Sequence, residues 1–190
     1  MPEDAPDRAR LIRISPGLVV LVGPPASGKT SFVRALIARG RLDEEAVISS
    51  DAIRAEFFGT APPSDAADAR IFEERDRRIV ARLAAGRSAV AESTNVTPEA
   101  RGRLIAIARR FDAPVTMLRF DPDLADLLQQ YAERGRLDVT AADVHTYAEI
   151  MTRHATAGRL RSEGAAAVHD VPGRGQATTA AEAAGRFSFT

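Results

Sequence analysis

Short apolar runs alternate with longer amphipathic stretches along most of this chain, and the two patterns predict different elements. The short runs predict buried strands at 18–22, 46–49, 88–91, 114–120 and 166–171. Between them apolar residues recur three and four positions apart, which predicts helices at 31–39, 50–58, 66–84 and 97–110, and from 121 and 140 onward. This alternation predicts an α/β fold in which a mostly parallel, five-stranded sheet is covered by helices on both faces.

The same pattern divides the chain into three parts. Residues 1–16 are expected to form a flexible lead-in, and residues 17–171 a single domain. From residue 172 onward Gly, Ala and Thr dominate, so residues 172–190 are expected to form a tail that adds little to the core. The helix at 66–84 is expected to turn one apolar face inward, formed by Phe72, Ile79, Val80 and Leu83.

Composition limits the classes of function. The 26 Lys and Arg residues balance 26 Asp and Glu residues, so the chain lacks the basic surplus typical of proteins that grip long nucleic acids. A local arginine cluster that binds a few phosphates is still allowed. Cysteine is absent, which excludes disulfides and thiol catalysis. No apolar run approaches the ~20 residues of a membrane span, and residues 1–10 lack the apolar segment of a secretory signal, so we expect a cytoplasmic protein without a membrane partner.

The stretch that follows the first strand of the domain carries the most specific chemical signal. The apolar run ends at Gly23, and four residues later the chain continues as Gly28-Lys29-Thr30, which matches the phosphate-binding pattern G-x-x-x-x-G-K-[ST]. The alternative is an ordinary glycine-rich turn, but strand, loop and helix occur in the order that a P-loop NTPase requires. The residues predicted to bind the nucleotide are Gly23, Pro24, Pro25, Ala26, Ser27, Gly28, Lys29, Thr30 and Ser31.

Three side chains near this loop have predicted roles toward ATP or GTP and Mg²⁺. Lys29, the only lysine of the chain, is expected to contact the β- and γ-phosphates. The Thr30 hydroxyl is expected to bind Mg²⁺, and Glu92, at the end of the third predicted strand, is a further candidate that would orient the water shell of the metal. The sequence does not distinguish ATP from GTP.

Asp51 and Arg54 are candidates for binding and activating an acceptor. They follow the second predicted strand and lie one helical turn apart. Because the carboxyl ends of parallel strands form one edge of the sheet, Asp51 is expected close to the phosphate loop. A carboxylate there can accept a proton from an acceptor hydroxyl, and a guanidinium can hold a substrate phosphate. The alternative is an exposed Asp–Arg pair that stabilises the start of the helix.

A lid is expected at about residues 130–142, between two late helices. Arg134 and Arg136 lie in it and are predicted to cover the γ-phosphate, the alternative being solvated loop arginines. Asn95, in the polar turn after the third strand, is expected either to cap the next helix or to contact the substrate.

Three stretches together resemble the bacterial polynucleotide 5′-hydroxyl kinases, in particular the kinase module of polynucleotide kinase–phosphatase enzymes. They are Gly-Pro-Pro-Ala-Ser-Gly-Lys-Thr at 23–30, Val-Ile-Ser-Ser-Asp-Ala-Ile-Arg at 47–54 and Glu-Ser-Thr-Asn-Val-Thr-Pro-Glu-Ala-Arg at 92–101. The resemblance extends from about residue 17 to residue 171. The last two stretches are more specific than the first, which many NTPases share.

The resemblance implies transfer of the γ-phosphate of an NTP, with Mg²⁺, to a 5′-OH end of RNA or DNA. It implies that Asp51 is the general base, that Arg54 holds a phosphate of the acceptor, and that Arg134 is the second of two lid arginines on the donor phosphates. The chain departs from the family at two places: Gln130-Tyr131 stands where the family has Arg-Asn, and Glu92 stands where it usually has aspartate.

Two other functions are compatible with the same residues. A small-molecule kinase would keep these roles and change the acceptor pocket, expected at 51–64, where Phe57 and Phe58 either stack on a base or fill the core. An NTP-binding switch would bind the nucleotide, change conformation and transfer no phosphate to an acceptor.

Overall fold

The computed structural model describes residues 11–189 of the chain. Its strands are β1 (Ile12–Ile14), β2 (Leu18–Val22), β3 (Val47–Ser49), β4 (Ala89–Glu92), β5 (Val115–Arg119), β6 (Ala167–Asp170) and β7 (Phe187–Phe189). Five of these strands form one sheet in the order β3-β4-β2-β5-β6, and every neighbouring pair in it is parallel. The predicted five-stranded α/β fold is therefore confirmed.

The helices follow the strands as the sequence pattern predicts. They are α1 (Lys29–Ala38), α2 (Ser50–Phe58), α3 (Asp65–Ala84), α4 (Pro98–Arg109), α5 (Leu124–Arg134), α6 (Ala141–His154), α7 (Ala157–Glu163) and α8 (Ala180–Gly185). The two helices that begin at the carboxyl edge near Asp51 and Asn95 have side-chain caps. The Ser49 hydroxyl accepts a hydrogen bond from the backbone N–H of Ala52 at 3.3 Å. The Thr97 hydroxyl accepts one from the backbone N–H of Ala100, also at 3.3 Å, and Pro98 occupies the first position of that helix.

The central strand β2 is buried on both faces and anchors two apolar layers. Leu18, Val20 and Val22 point to one layer, whereas Val19 and Leu21 point to the other, as the period of two along a strand requires. The first layer receives side chains of α3, α4, α6 and α7. The second receives side chains of α1, α8, β1 and β7. Helices thus cover both faces, which leaves the carboxyl edge of the sheet as the open end.

The inward face of α3 differs from the prediction at one of the four predicted positions. Ile71 is buried at 2% exposure, whereas Phe72 is 39% exposed. Ile79 and Leu83 are buried as predicted, and Val80 packs at the edge of the same layer. The expectation for Phe72 was wrong because the buried stripe on α3 includes Arg75, which apolar patterning does not count.

The expectation that residues 172–190 form a tail with little core was also wrong. Strand β7 pairs in parallel with β1, where Ile12 lies opposite Phe187, and the Phe187 ring meets the Phe32 ring edge to face at 5.4 Å between centroids. The Arg41 side chain donates to the backbone carbonyls of Gly185 and Phe187, at 2.9 and 2.7 Å. The small side chains of Ala183 and Ala184 are buried, at 1% and 0% exposure, in the layer that contains α1.

The lead-in prediction is tested only in part. Residues 11–16 contain β1, which belongs to the two-stranded sheet with β7, and residues 1–10 lie outside the described residues. Within the described part of the chain, no helix combines the length and apolar character needed to cross a membrane.

Candidate active site

The phosphate loop joins β2 to α1 at the carboxyl edge of the sheet, and its glycines are required by space and by backbone geometry. The Gly23 N–H donates to the Thr94 carbonyl at 2.9 Å, which ties the loop to the turn after β4. A Cβ on Gly23 would lie 2.7 Å from Ser27 Oγ and 2.8 Å from the Phe120 carbonyl oxygen. Gly28 caps α1 with φ of 99°, a conformation that side chains rarely adopt. The loop is therefore fixed by backbone constraints.

Lys29 lies folded against its own loop. Its Nζ donates to the carbonyl oxygens of Gly23 and Pro24 at 2.8 and 2.6 Å, and to Ser27 Oγ at 3.2 Å. The residue is only 8% exposed. These three acceptors satisfy all three N–H donors of the ammonium group, so the lysine is held at the position where a phosphate would compete for it.

Burial changes the acidity of this lysine. Desolvation lowers the pKa of Lys29 to about 7, although the carboxylates of Glu92 and Asp51 act in the opposite direction. Its ammonium group therefore titrates near neutral pH, and any anion that enters the loop will favour its charged form.

Thr30 and Glu92 lie together beside the loop. The Thr30 hydroxyl donates to Glu92 Oε1 at 2.6 Å, and Glu92 is 9% exposed at the end of β4. A hydroxyl and a carboxylate are oxygen ligands of the kind that Mg²⁺ takes, usually one or two from the protein with the rest from phosphates and water. The pair therefore fits Mg²⁺. The described residues contain no cluster of three or more His, Asp or Glu side chains placed to hold a metal on their own.

Asp51 and Arg54 both line the cleft beside the phosphate loop. Their spacing on α2 would allow them to pair with each other, but each pairs with a residue of another segment. Asp51, with 71% of its side chain exposed, has the guanidinium of Arg136 at 3.5 Å. Arg54 forms an ion pair and hydrogen bond with Asp68 on α3. The alternative of an Asp51–Arg54 pair that stabilises the start of α2 is therefore not what the structure contains.

The expected lid at 130–142 covers the end of α5, a loop and the start of α6. Arg134 Nη2 donates to Ser31 Oγ at 3.0 Å, across from the first turn of α1. Arg136 binds Asp138 through Nε at 2.9 Å and Nη2 at 2.5 Å. Burial and the nearby charge of Arg136 lower the pKa of Arg134, whereas the hydrogen bond to Asp138 raises the pKa of Arg136. Both arginines thus lie beside the phosphate loop.

A small apolar cluster holds the lid. Ala26 of the phosphate loop, Leu127 of α5 and Val144 of α6 are buried against one another. The Tyr131 hydroxyl donates to the Val139 carbonyl at 2.8 Å and so ties the lid loop to α5. This cluster is much smaller than the two layers around the sheet.

Most of the sequence-predicted site residues surround one cleft of about 370 Å³. Those that line it are Pro25, Ala26, Ser27, Gly28, Lys29, Thr30, Asp51, Arg54, Glu92, Arg134 and Arg136. Ser31 lines an adjoining cavity of about 540 Å³ instead, together with Gln130 and residues 171–180. Gly23 and Pro24 line neither cavity, and they contribute the carbonyl oxygens that hold Lys29.

Sequence reasoning missed part of the lining of the cleft. Phe72, Arg75 and Tyr147 line the cleft together with Asn95, and Phe72 was expected on the inward apolar face of its helix. The signal for Arg75 was available: it stands four residues from both Ile71 and Ile79, so it occupies a core position of α3. A charged residue in such a stripe calls for a partner or a ligand.

Comparison with known proteins agrees with this geometry. A family described as an AAA domain matches residues 18–157, well over half of the chain. The chain belongs to this family. Among proteins with curated functions, none matches it significantly.

Solved structures similar to this chain include a component of an RNA repair complex and two small-molecule kinases. A chain of the Pnkp1/Rnl/Hen1 RNA repair complex has a TM-score of 0.63 and 19% identity, covering 78% of this chain and 46% of that one. A sugar kinase from Janibacter sp. HTCC2649 has a TM-score of 0.57 and 16% identity over 90% of this chain and 91% of that one. A gluconokinase from Sinorhizobium meliloti 1021 has a TM-score of 0.55 and 19% identity, covering 90% of this chain and 89% of that one.

These similarities establish the fold. The present chain spans less than half of the RNA-repair chain and about nine tenths of the two small-molecule kinases. At such identities the likeness shows the fold alone and leaves the reaction and the acceptor open.

Proposed function

We propose that this chain transfers the γ-phosphate of ATP to a hydroxyl group, and that the acceptor is the 5′-OH end of RNA or DNA. The observation that carries the proposal is that the phosphate loop and the Asp51 carboxylate line one cleft. A phosphate donor and a proton acceptor that share a cleft are what transfer to an alcohol requires.

The donor half is formed by the loop and the lid. The β- and γ-phosphates displace the loop carbonyls and Ser27 as the partners of Lys29. Thr30 and Glu92 would hold Mg²⁺, which would supply positive charge to the phosphate oxygens. The adjoining cavity beside Ser31 and Arg134 accommodates the nucleoside.

In the acceptor half, Asp51 takes the proton of the attacking hydroxyl. The acceptor oxygen forms a bond to the γ-phosphorus as the bond from that phosphorus to the β,γ-bridging oxygen breaks, and the nucleoside diphosphate leaves with that oxygen. Arg134 and Arg136 stabilise the charge on the transferring group. Arg136 first exchanges its contact with Asp51 for the phosphate, which frees the carboxylate for the proton.

Three features support a nucleic-acid end as the acceptor. The two more specific stretches of the polynucleotide kinase resemblance, 47–54 and 92–101, both reach the cleft. Arg54 lines it with a side chain suited to a backbone phosphate. The Phe72 ring, 39% exposed in the cleft wall, offers a surface on which a base can stack.

A small hydroxylated molecule is the second candidate acceptor, and a specific observation favours it. The residues that line the cleft include two with a buried polar atom, Arg75 Nη1 and Asn95 Oδ1, that has no partner in the described structure. Together with the formal net charge of +0, this lining resembles a small-molecule pocket more than the basic surface of a nucleic-acid enzyme.

A label-transfer assay tests the proposal. The protein is incubated with γ-labelled ATP, Mg²⁺ and either a 5′-OH oligonucleotide or the same oligonucleotide carrying a 5′-phosphate. We expect label only on the 5′-OH form, and none on it with Asp51→Ala. Label on a metabolite fraction and on neither oligonucleotide would support the second candidate. Release of free phosphate that Asp51→Ala leaves unchanged, with no labelled acceptor, would indicate a nucleotide switch.

A further inference from the structure

Arg75, which lines the cleft, has a hydrogen-bond donor that is not used. Its side chain is 1% exposed, and its Nε and Nη2 both donate to Asp76 Oδ1, at 3.0 and 2.8 Å. Its Nη1 is buried and has no partner within residues 11–189. The guanidinium carbon lies 4.9 Å from the centroid of the Phe72 ring, so the plane of the group is held by the ring as well as by the carboxylate.

The charge of Arg75 is only partly balanced. Asp76, its carboxylate partner, also forms an ion pair through Oδ2 with Arg103 of α4. One carboxylate therefore serves two guanidinium groups, and the Arg75–Asp76–Arg103 cluster carries a net positive charge. Arg54 lines the same cleft with a second guanidinium group.

Asn95 supplies the complementary group. It is 2% exposed, and its Nδ2 donates to the Leu21 carbonyl at 2.8 Å, which fixes the amide against β2. Its Oδ1 is buried and accepts no hydrogen bond in the described part of the chain. The backbone at Asn95 has φ of 48°, a conformation that asparagine tolerates better than most residues.

Unpaired buried polar atoms are rare and destabilise a folded protein. One orphaned donor, on Arg75, and one orphaned acceptor, on Asn95, belong to residues that line the same cleft as Asp51. The two atoms call for complementary groups on a ligand, an anionic oxygen for the donor and a hydroxyl group for the acceptor. Ordered water is the simplest competing occupant, and it does not distinguish between anionic and neutral acceptors.

We propose that Arg75 and Asn95 form an acceptor subsite that selects a hydroxylated anion. Arg75 binds a carboxylate or phosphate-ester oxygen of the acceptor, Asn95 accepts from one of its hydroxyl groups, and a different hydroxyl group faces Asp51. This subsite rests on the proposed phosphotransfer. The same chemistry is present in a sugar acid and in a terminal nucleoside whose 3′ oxygen carries a phosphate.

Two pairs of probes test the subsite and distinguish its sources. Adenosine 3′-monophosphate is compared with adenosine, and gluconate with sorbitol, as acceptors and, in titration calorimetry without nucleotide, as ligands. Within at least one pair, we expect the anion to have a KM or Kd about 10- to 100-fold lower than its neutral counterpart, the range for losing one charge-assisted hydrogen bond. The pair that shows the preference identifies the source of the anion.

Two matched variants assign the preference to one residue. Arg75→Met keeps most of the volume and removes the guanidinium group, so we expect it to reduce the preference to less than about threefold. Arg103→Met removes the guanidinium group that is the other partner of Asp76. The Arg103 side chain is 56% exposed and lies outside the cleft. Arg103→Met lowers the net charge of the cluster but leaves the guanidinium group of Arg75 in place, so we expect it to retain more of the anion preference than Arg75→Met.

The outcomes separate the subsite from the proposed function. An anion preference that persists in folded Arg75→Met, or wild-type protein that prefers neither anion, overturns the subsite, whether or not phosphate is transferred. Arg75-dependent binding of an anion without transfer to any acceptor would leave the subsite standing and overturn the phosphotransferase. If Arg75→Met fails to fold in a thermal melt, the wild-type comparison within each pair decides alone.

Discussion

The phosphate loop and the lid loop face the same cleft but are held by different kinds of contact. The phosphate loop is fixed by backbone groups: the Gly23 N–H is bonded to Thr94, and the loop carbonyls hold buried Lys29. The lid loop is held by side-chain contacts, namely the ion pairs of Arg136 and the hydrogen bond from Tyr131 to the Val139 carbonyl, and Leu137 in the loop is fully exposed. The phosphate loop therefore has its binding conformation before a nucleotide binds, whereas the lid loop has ion pairs that the phosphates of a nucleotide can replace.

The largest expected effect in this comparison concerns the lid. Replacing Arg134 by alanine removes a guanidinium group beside the loop, and we expect kcat to fall by about 10³-fold with little change in the stability of the fold. Steady-state kinetics with a saturating acceptor measures this. Arg87→Ala is the matched control, because Arg87 is exposed and precedes β4 at the opposite edge of the sheet. A fall of less than about tenfold for Arg134→Ala would show that the lid does not contribute to the chemistry.

A smaller effect is expected where the phosphate loop is rigid. Gly23→Ala places a Cβ against the backbone carbonyl of Phe120, so we expect the free energy of unfolding to fall by about 1–3 kcal/mol and nucleotide binding to weaken. Gly102→Ala within α4 is the control, since a Cβ there meets no atom and should stabilise the helix by about 0.5–1 kcal/mol. Denaturant unfolding measures both, and equal stabilities would contradict a preformed loop.

The smallest of these effects is a pH dependence due to Lys29. Its pKa of about 7 in the free protein means that below pH 7 the ammonium is already charged, and nucleotide binding takes up no proton there. Above pH 7 binding must add a proton, so affinity should fall by up to about tenfold per pH unit. Calorimetry in buffers of different ionisation enthalpy detects the proton uptake, and Lys29→Met should abolish it.

The same shift has a consequence for stability with the opposite trend. The unfolded chain, where lysine has its ordinary pKa of 10.5, binds more protons than the folded protein above pH 7. The contribution of Lys29 to the free energy of unfolding should therefore rise between pH 7 and 9. A pH-independent difference between wild type and Lys29→Met over this range would show that Lys29 is not buried as described.

The sequence was sufficient for the phosphate loop and for the carboxyl edge, because their signals are local. The loop motif follows a strand directly, and the order of strands and helices places Asp51 and Glu92 at the same edge. The partners of these residues were not predictable. Arg54 pairs with Asp68 of α3, and Asp51 with Arg136 of the lid, because tertiary packing brings other elements closer than the neighbouring helical turn.

The burial of residues 180–189 and of Arg75 could not be predicted either, and the physical reasons differ. Residues 180–189 are rich in Ala, and the small Ala side chains give no apolar periodicity. Their small size nevertheless allows α8 to pack in the apolar layer that contains α1. Arg75 lies within an apolar stripe, where Asp76 and Phe72 stabilise its guanidinium group. Neither of these two residues indicates a buried site when only the sequence is known.

The most direct test of the account is a comparison of wild type with Asp51→Asn under saturating nucleotide. The amide keeps the shape of the carboxylate but cannot take the proton of an acceptor hydroxyl. We predict that kcat for transfer falls by about 10²- to 10⁴-fold while the Kd for ATP with Mg²⁺ stays within about threefold of wild type. Transfer by Asp51→Asn at the wild-type rate would contradict the shared cleft as the seat of phosphotransfer.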